Sequence, residues 1–348
     1  MRTKLVLKNG EVIEGRSFGA PISVSGEVVF ATGMVGYPEA LTDPSFRGQI
    51  LVLTSPMIGN YGIPSKEHWE SDKIQIAGLV VCNYIDTPSH HASKETLSLW
   101  LKRFNIPALE IKGTRDLTQK IRTNGTILGK IICGKNKITF NDPNVRNLVA
   151  EISTKKIWSE GEGAKTIIVI DCGVKLNIIR QLVKRGLKVV VVPFDTDVTK
   201  LAFPYSAVVI SNGPGDPTRV RVTISNVKKL IIKKIPIFGI CLGNQILALA
   251  SGGSTYKLPF GHRSQNQPCV LTGTKKCYLT TQNHGFAIKK VPVNFKEWFY
   301  NANDLTNEGI IHKTLPFMSV QFHPESSPGP LDTDWVFDYF FKKAKIKI

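Results

Sequence analysis

Cys241 stands in Gly239-Ile-Cys-Leu-Gly243, a G-x-C-x-G arrangement with an apolar run before it and a helical pattern after it. Ile235, Ile237, Phe238 and Ile240 make a run of strand length, and Ile246, Leu247 and Leu249 continue at helical spacing until Gly252 and Gly253 stop them. The chain must bend between Ile240 and Gly243, where residues without side chains let strand and helix close around an exposed thiol. At the start of that helix, unpaired N–H groups and the helix dipole favour thiolate over thiol. A lone cysteine is more often a small buried apolar residue, and that reading is kept for Cys82, Cys133, Cys172, Cys269 and Cys277, which have no such turn. Cys241 departs from it because the sequence also offers a base. Met318-Ser-Val-Gln-Phe-His-Pro-Glu325 reads as a strand ending in His323, with Pro324 turning Glu325 back towards the imidazole. A thiol nucleophile, an imidazole base and a carboxylate orienting that base are the parts needed for acyl transfer.

The elements that must position these residues alternate between strand and helix from Thr166 onward. Thr166–Asp171 is an apolar strand, and residues 174–185 are a helix that turns Ile178, Ile179, Leu182 and Val183 inward and stops at Gly186. Residues 187–192, 207–210 and 236–240 follow as short strands. Parallel strands with crossover helices make an open sheet whose site lies at the carboxyl ends of the strands, where Cys241 falls. Ser211-Asn-Gly-Pro-Gly-Asp-Pro217 falls at such an end too. Its residues form turns wherever they occur, but beside a thiolate their backbone N–H groups would serve a developing oxyanion, with the Leu242 amide as a second donor. One such donor is worth roughly 3–4 kcal/mol in other hydrolases.

Residues 1–150 read as a separate, mixed, strand-rich domain, and residues 151–164 as a linker to the α/β domain at 165–348. Lys4 to Glu14 is a hairpin turning at Asn9-Gly10, a pair suited to a type I′ turn. Residues 27–32 and 74–82 are further strands, and residues 94–104 are a helix with Leu97, Trp100, Leu101 and Phe104 on one face. Gly161, Gly163, Lys165 and Thr166 imitate the end of a phosphate loop, but they precede a strand where such a loop must follow one. No nucleotide-binding loop is visible.

With 348 residues, 42% hydrophobic and 21% charged, the chain has the composition of a two-domain globular protein. Its six cysteines show no C-x-x-C pair and no regular spacing, which excludes a disulfide framework or a zinc site from the sequence reading. The formal charge of +18 comes from scattered lysines without interleaved aromatics, so nucleic acid is not an expected partner. No apolar run is long enough to span a bilayer, and the first residues read as a strand, not a leader. The expected compartment is the cytoplasm or the stroma of a plastid that encodes the protein.

Together, Ser211-Asn-Gly-Pro-Gly-Asp-Pro217, Gly239-Ile-Cys-Leu-Gly-Asn-Gln245, Gln282-Asn-His-Gly-Phe286 and Gln321-Phe-His-Pro-Glu325 resemble the class I glutamine amidotransferases. Thr32-Gly-Met-Val-Gly-Tyr with Thr42-Asp-Pro-Ser45, Ile58-Gly-Asn-Tyr-Gly62, Asp171-Cys-Gly-Val-Lys-Leu-Asn-Ile178 and Ser327-Pro-Gly-Pro330 narrow the resemblance to the small subunit of carbamoyl-phosphate synthase. The resemblance implies a glutaminase that passes ammonia to a large subunit making carbamoyl phosphate, for the arginine and pyrimidine pathways. It implies no cofactor or metal in this chain, with ATP and Mg2+ on the large subunit. Cys241 is similar to the family's nucleophile, His323 to its base and Glu325 to the orienting carboxylate. Ser45, Gly213, Gly215, Leu242, Gln245, Asn283, Gly285 and Phe286 match its glutamine-holding positions, and His284 is expected to be structural. Asn244, Gln267 and Leu331 stand where the family commonly has histidine. Two other readings are a glutaminase serving another synthase, and a degenerate regulatory or nucleic-acid-binding module. The first domain speaks against the former and the intact triad against the latter.

Overall fold

In the computed structural model, which describes residues 3–348, the chain divides into two compact units, one up to Arg146 and one from Asn147 onward. The first unit is a closed seven-stranded barrel. Four of its strands, Val24–Ala31, Gln49–Leu53, Gly78–Val81 and Ala108–Glu110, lie parallel, and Thr3–Leu7, Val12–Ser17 and Ile127–Cys133 close it with antiparallel pairing. The expected hairpin is present, with Thr3–Leu7 paired to Val12–Ser17, but only Gly10 takes a positive φ, 93°, and the turn is not type I′. Gly10 donates to the Leu7 carbonyl and Leu7 to Glu11, the pattern of a longer loop ending in one left-handed glycine. The helix expected at 94–104 runs Leu97–Arg103, capped by the Thr96 hydroxyl, with Leu97, Trp100 and Leu101 buried.

The second unit is built on a ten-stranded sheet. Its parallel centre runs Lys188–Pro193, Thr166–Asp171, Ala207–Ile210, Ile237–Ile240 and Phe317–Val320. These strands are almost wholly apolar between their ends, Ser319 excepted, because both faces are covered. Ile167 and Val169 pack with Ile178, Ile179, Leu182, Phe337 and Phe340 on one side. Ile168 and Ile170 pack with Val227, Leu230, Ile246 and Leu247 on the other. Beyond Phe317–Val320 the sheet continues antiparallel through Asn307–His312 and Phe295–Asn301 into a long hairpin, Ser254–Leu271 with Cys277–Lys290.

The segment expected to link the domains belongs to this second sheet. Leu148–Ile152 is a short helix, and Trp158–Glu160 pairs antiparallel with Lys188–Pro193. Gly163 packs so closely that a Cβ there would stand 1.9 Å from the Gly186 carbonyl oxygen. The turn-forming composition at 159–165 marks a tight edge connection, and the boundary lies earlier, after Arg146. All six cysteines are free thiols; Cys277 is exposed and Cys82 partly so, which corrects the expectation that every cysteine other than Cys241 is a buried apolar residue. No helix among the described residues is long and apolar enough to cross a membrane.

Candidate active site

Four neighbouring parallel strands end at the site. The loop after Thr166–Asp171 carries Lys175, the loop after Ala207–Ile210 carries Gly213 and Gly215, Ile237–Ile240 delivers Cys241, and Phe317–Val320 leads to His323. Cys241 has φ 53° and ψ −102°, a conformation that costs a non-glycine residue about 1–3 kcal/mol and persists only where the surroundings enforce it. They do so here. Its amide donates to the Val320 carbonyl at 2.8 Å, and the helix Leu242–Ala250 starts at the next residue. A Cβ on Gly239 would lie 2.5 Å from the Gly243 carbonyl oxygen, and one on Gly243 would lie 2.1 Å from the Ile210 carbonyl oxygen. This close approach is why the thiol stands between two glycines. A Gly243→Ala chain should lose on the order of 3 kcal/mol, since backbone atoms are what the methyl group meets. Urea unfolding reads that loss, and an unchanged midpoint would contradict the packing described.

His323 does not end a strand as expected. The strand ends at Val320; the Gln321 amide still donates to the Glu308 carbonyl in register with the Gly309–Val320 pair, and Phe322 is fully buried beyond it. His323 is instead fixed by a single bridge to Thr281, its amide donating to the Thr281 carbonyl at 2.9 Å. Its Nδ1 lies 2.6 Å from Glu325 Oε1, with both side chains buried. Burial opposes charge on this imidazole, but the Glu325 carboxylate and the adjacent Cys241 sulfur outweigh it and raise its pKa. Burial likewise pushes the Glu325 carboxyl up, yet Lys175 and the imidazole prevail and hold it at about 2.

Lys175 was not singled out from the sequence. Its Nζ lies 3.1 Å from Glu325 Oε1 and donates to the Ser326 carbonyl at 2.6 Å, with its side chain only 3% exposed. Asn177 donates to the Glu325 carbonyl. The Asp171-Cys-Gly-Val-Lys segment is itself held by Asp171, whose carboxylate accepts from the Gly173, Val174 and Thr154 amides. The Lys175 amide donates to Asn212 Oδ1, which ties this loop to the one bearing Gly213. The available signal was the position of Lys175, directly after a strand expected to border the site.

Of the second-unit residues expected to hold glutamine, Leu242 follows the thiol directly. Gly213 sits against the Leu242 side chain, and the Leu242 amide opens the helix without an intrahelical acceptor. The Asn283 carbonyl lies 3.6 Å from Cys241 Sγ. Gln245 Nε2 donates to the Phe286 carbonyl at 2.8 Å and to Gln321 Oε1 at 3.1 Å. Gly285 lies beside the Arg263 guanidinium, and Gly215, with φ 80°, packs on Leu148. Ser45 belongs to the first unit, in a short turn where its amide donates to Asp43 Oδ1 at 2.9 Å. Asn244 is fully buried and pairs with Gln321 and Ser319. Gln267 bonds Ser264 and Asn301 within the hairpin region, and Leu331 is exposed. Asn244, Gln267 and Leu331 lie outside the Cys241, His323, Glu325 constellation.

The profile of the class-I glutamine amidotransferases matches residues 168–343, so the second unit is a domain of that class. The profile of the carbamoyl-phosphate synthase small chain, CPSase domain, matches residues 5–131. The chain belongs to the carbamoyl-phosphate synthase small-chain family. The arginine-specific carbamoyl phosphate synthase small chain of Aspergillus niger is 44% identical over 357 residues, covering 97% of this chain and 79% of that one. The multifunctional protein CAD of Squalus acanthias is 50% identical over 358 residues, covering 98% of this chain and 16% of that protein. The mitochondrial carbamoyl-phosphate synthase (ammonia) of Mus musculus is 46% identical over 354 residues and covers 98% and 24%. Against these two longer relatives the chain spans less than a quarter of their length.

Proposed function

We propose that the chain is the glutamine-hydrolysing subunit of a carbamoyl-phosphate synthase, releasing ammonia to a large subunit that binds ATP and Mg2+ and makes carbamoyl phosphate for arginine and pyrimidine synthesis. The observation that carries this reading is the strained Cys241 at a helix start, beside a buried His323, Glu325, Lys175 chain. In the proposed reaction the Cys241 sulfur attacks the side-chain amide carbon of glutamine. The oxyanion is met by the Leu242 amide and by the backbone of the Gly213 segment. His323, kept protonated by Glu325, gives its proton to the departing nitrogen, and ammonia leaves behind a thioester. Water then attacks the thioester, His323 takes the water proton, and glutamate departs as the Cys241 sulfur leaves as thiolate beside the His323 imidazolium, the pair that began the cycle. Glu325 stays ionised throughout because Lys175 is its counterion, so it orients the ring and does not take the proton.

The test is glutamine hydrolysis by the purified chain, alone and with a carbamoyl-phosphate synthase large subunit, with and without ATP and bicarbonate. Slow hydrolysis that rises with the large subunit and its substrates is the expected result. Hydrolysis indifferent to that subunit would remove the proposed partner, and none in any mixture would remove the reaction.

A further inference from the structure

A row of buried polar side chains ties the start of the thiol-bearing helix to the segment that leads to His323, and the reaction above does not use it. Ser319, Asn244 and Gln321 are wholly buried and Gln245 is 3% exposed. Polar groups at that depth cost free energy unless they are paired, so the direction of each bond follows from what its partner can do. The Phe286 carbonyl only accepts, and it lies 2.8 Å from the Gln245 amide, which fixes the NH2 end of that amide there. The same nitrogen lies 3.1 Å from the Gln321 amide, which must therefore present its Oε1. Asn244 meets that oxygen at 3.1 Å and must donate through Nδ2. Its own Oδ1 then faces Ser319 at 2.8 Å, and the hydroxyl turns to donate. One backbone carbonyl thus sets the orientation of the whole row.

We propose that Gln321 is a positioning residue of the glutamine site: with Asn244 and Ser319 behind it, it holds the Gln245 amide so that the carbonyl end faces the ligand and receives the glutamine ammonium. Both N–H groups of the Gln245 side chain are spent, one on the Phe286 carbonyl and one on Gln321. Among the described residues none donates to its Oε1. The backbone amide of Gln245 donates to the Cys241 carbonyl at 3.4 Å, so this free acceptor sits one helical turn from the thiol. Gln321 forgoes a bond of its own to hold it, for its Nε2 is buried without a partner. Turned over, the Gln321 amide would set its NH2 against those of Asn244 and Gln245 and lose both contacts. In the proposed reaction the carboxamide oxygen of the substrate goes to the Leu242 amide and the Gly213 segment, and its nitrogen goes to His323. The donor left for Gln245 is the ammonium.

This inference rests on the glutaminase reading, and its test keeps the two apart. Wild type, Gln321→Met and Ser319→Ala are compared in kcat and KM for glutamine and for glutaramate, which is glutamine without its ammonium, beside a thermal melt. Gln321→Met keeps length and burial but removes the acceptor. It should raise KM for glutamine about tenfold with kcat within about threefold, while KM for glutaramate, already high, moves by less than about twofold. Ser319→Ala leaves Asn244 free to turn and should give the same pattern at about threefold. An equal rise for both substrates, or a loss of kcat without a rise in KM, overturns the proposal, because a general disturbance of Cys241 or His323 would do that. So does a KM for glutamine within about twofold of wild type in both variants when folded. If Gln321→Met does not fold, the two KM values of Ser319→Ala decide alone. If wild type binds glutamine without hydrolysing it, the glutaminase reading fails, and the same comparison made on calorimetric Kd values decides the inference. Wild type that neither binds nor hydrolyses glutamine overturns both.

Discussion

Replacing Cys241 by serine should reduce glutamine hydrolysis by about three orders of magnitude or more while leaving the unfolding midpoint within a degree or two of wild type. The substitution keeps size and shape but exchanges a sulfur nucleophile for a far weaker hydroxyl one. The backbone that forces φ 53° at residue 241 is enforced by Gly239, Gly243 and the Val320 carbonyl, none of which the change touches. Residual activity should therefore be limited by chemistry, with KM for glutamine little altered, because Gln245, Asn283 and Phe286 stay in place. Steady-state kinetics beside a thermal melt make the measurement. A serine enzyme of near wild-type rate would mean that another group attacks the amide.

Lys175→Met should damage both stability and rate. The ammonium and the Glu325 carboxylate are 3.1 Å apart and essentially sealed from solvent, and breaking such a pair from one side leaves an uncompensated buried charge at a cost of about 3–5 kcal/mol. The pH dependence has a fixed sign. Glu325 is held at about 2 in the folded chain against an ordinary value of 4.5, so its contribution is complete above 4.5 and is lost as pH falls towards 2. The stability deficit of the methionine variant should be full at neutral pH and should narrow in acid. Its hydrolysis rate should fall as well, since Glu325 without its cation protonates more readily and the neutral carboxyl supports the His323 imidazolium less, and the acid limb of the rate profile should move up in pH. Denaturant unfolding at pH 7 and pH 4 with a pH–rate profile checks both parts; a deficit independent of pH would mean the pair contributes only packing.

The bend that carries Cys241 was legible in the sequence because its geometry is local. Two glycines, a strand-length run and a helical run within about fifteen residues suffice to place a thiol at a bend. The parallel centre of the second sheet was legible for the same reason, and Ala207–Ile210 and Thr166–Asp171 fall where the pattern puts them. His323 was expected at a strand end and lies beyond it, since its position depends on a single bridge to Thr281 in the long hairpin. Lys175 escaped because a lysine after a strand is ordinarily solvated, and only the approach of residues 325–326 makes it a buried counterion. The barrel was hidden for a related reason. Strands as short as Ala108–Glu110 carry no periodicity, and closure is a matter of register between segments up to 130 residues apart. The glycines at 159–165 show the opposite error, in which turn chemistry was read as a boundary when it served a sheet edge.

The cation and the carboxylate of the Lys175–Glu325 pair come from opposite ends of the second unit's sequence. During synthesis, Lys175 and Cys241 emerge well before residues 317–325, which supply both the last strand of the parallel centre and His323. A nascent chain thus holds the Cys241 thiol for some time without His323 and Glu325 beside it. If the chain hydrolyses glutamine as proposed, competence arrives only with completion of the sheet, and a truncated or stalled product would waste no glutamine.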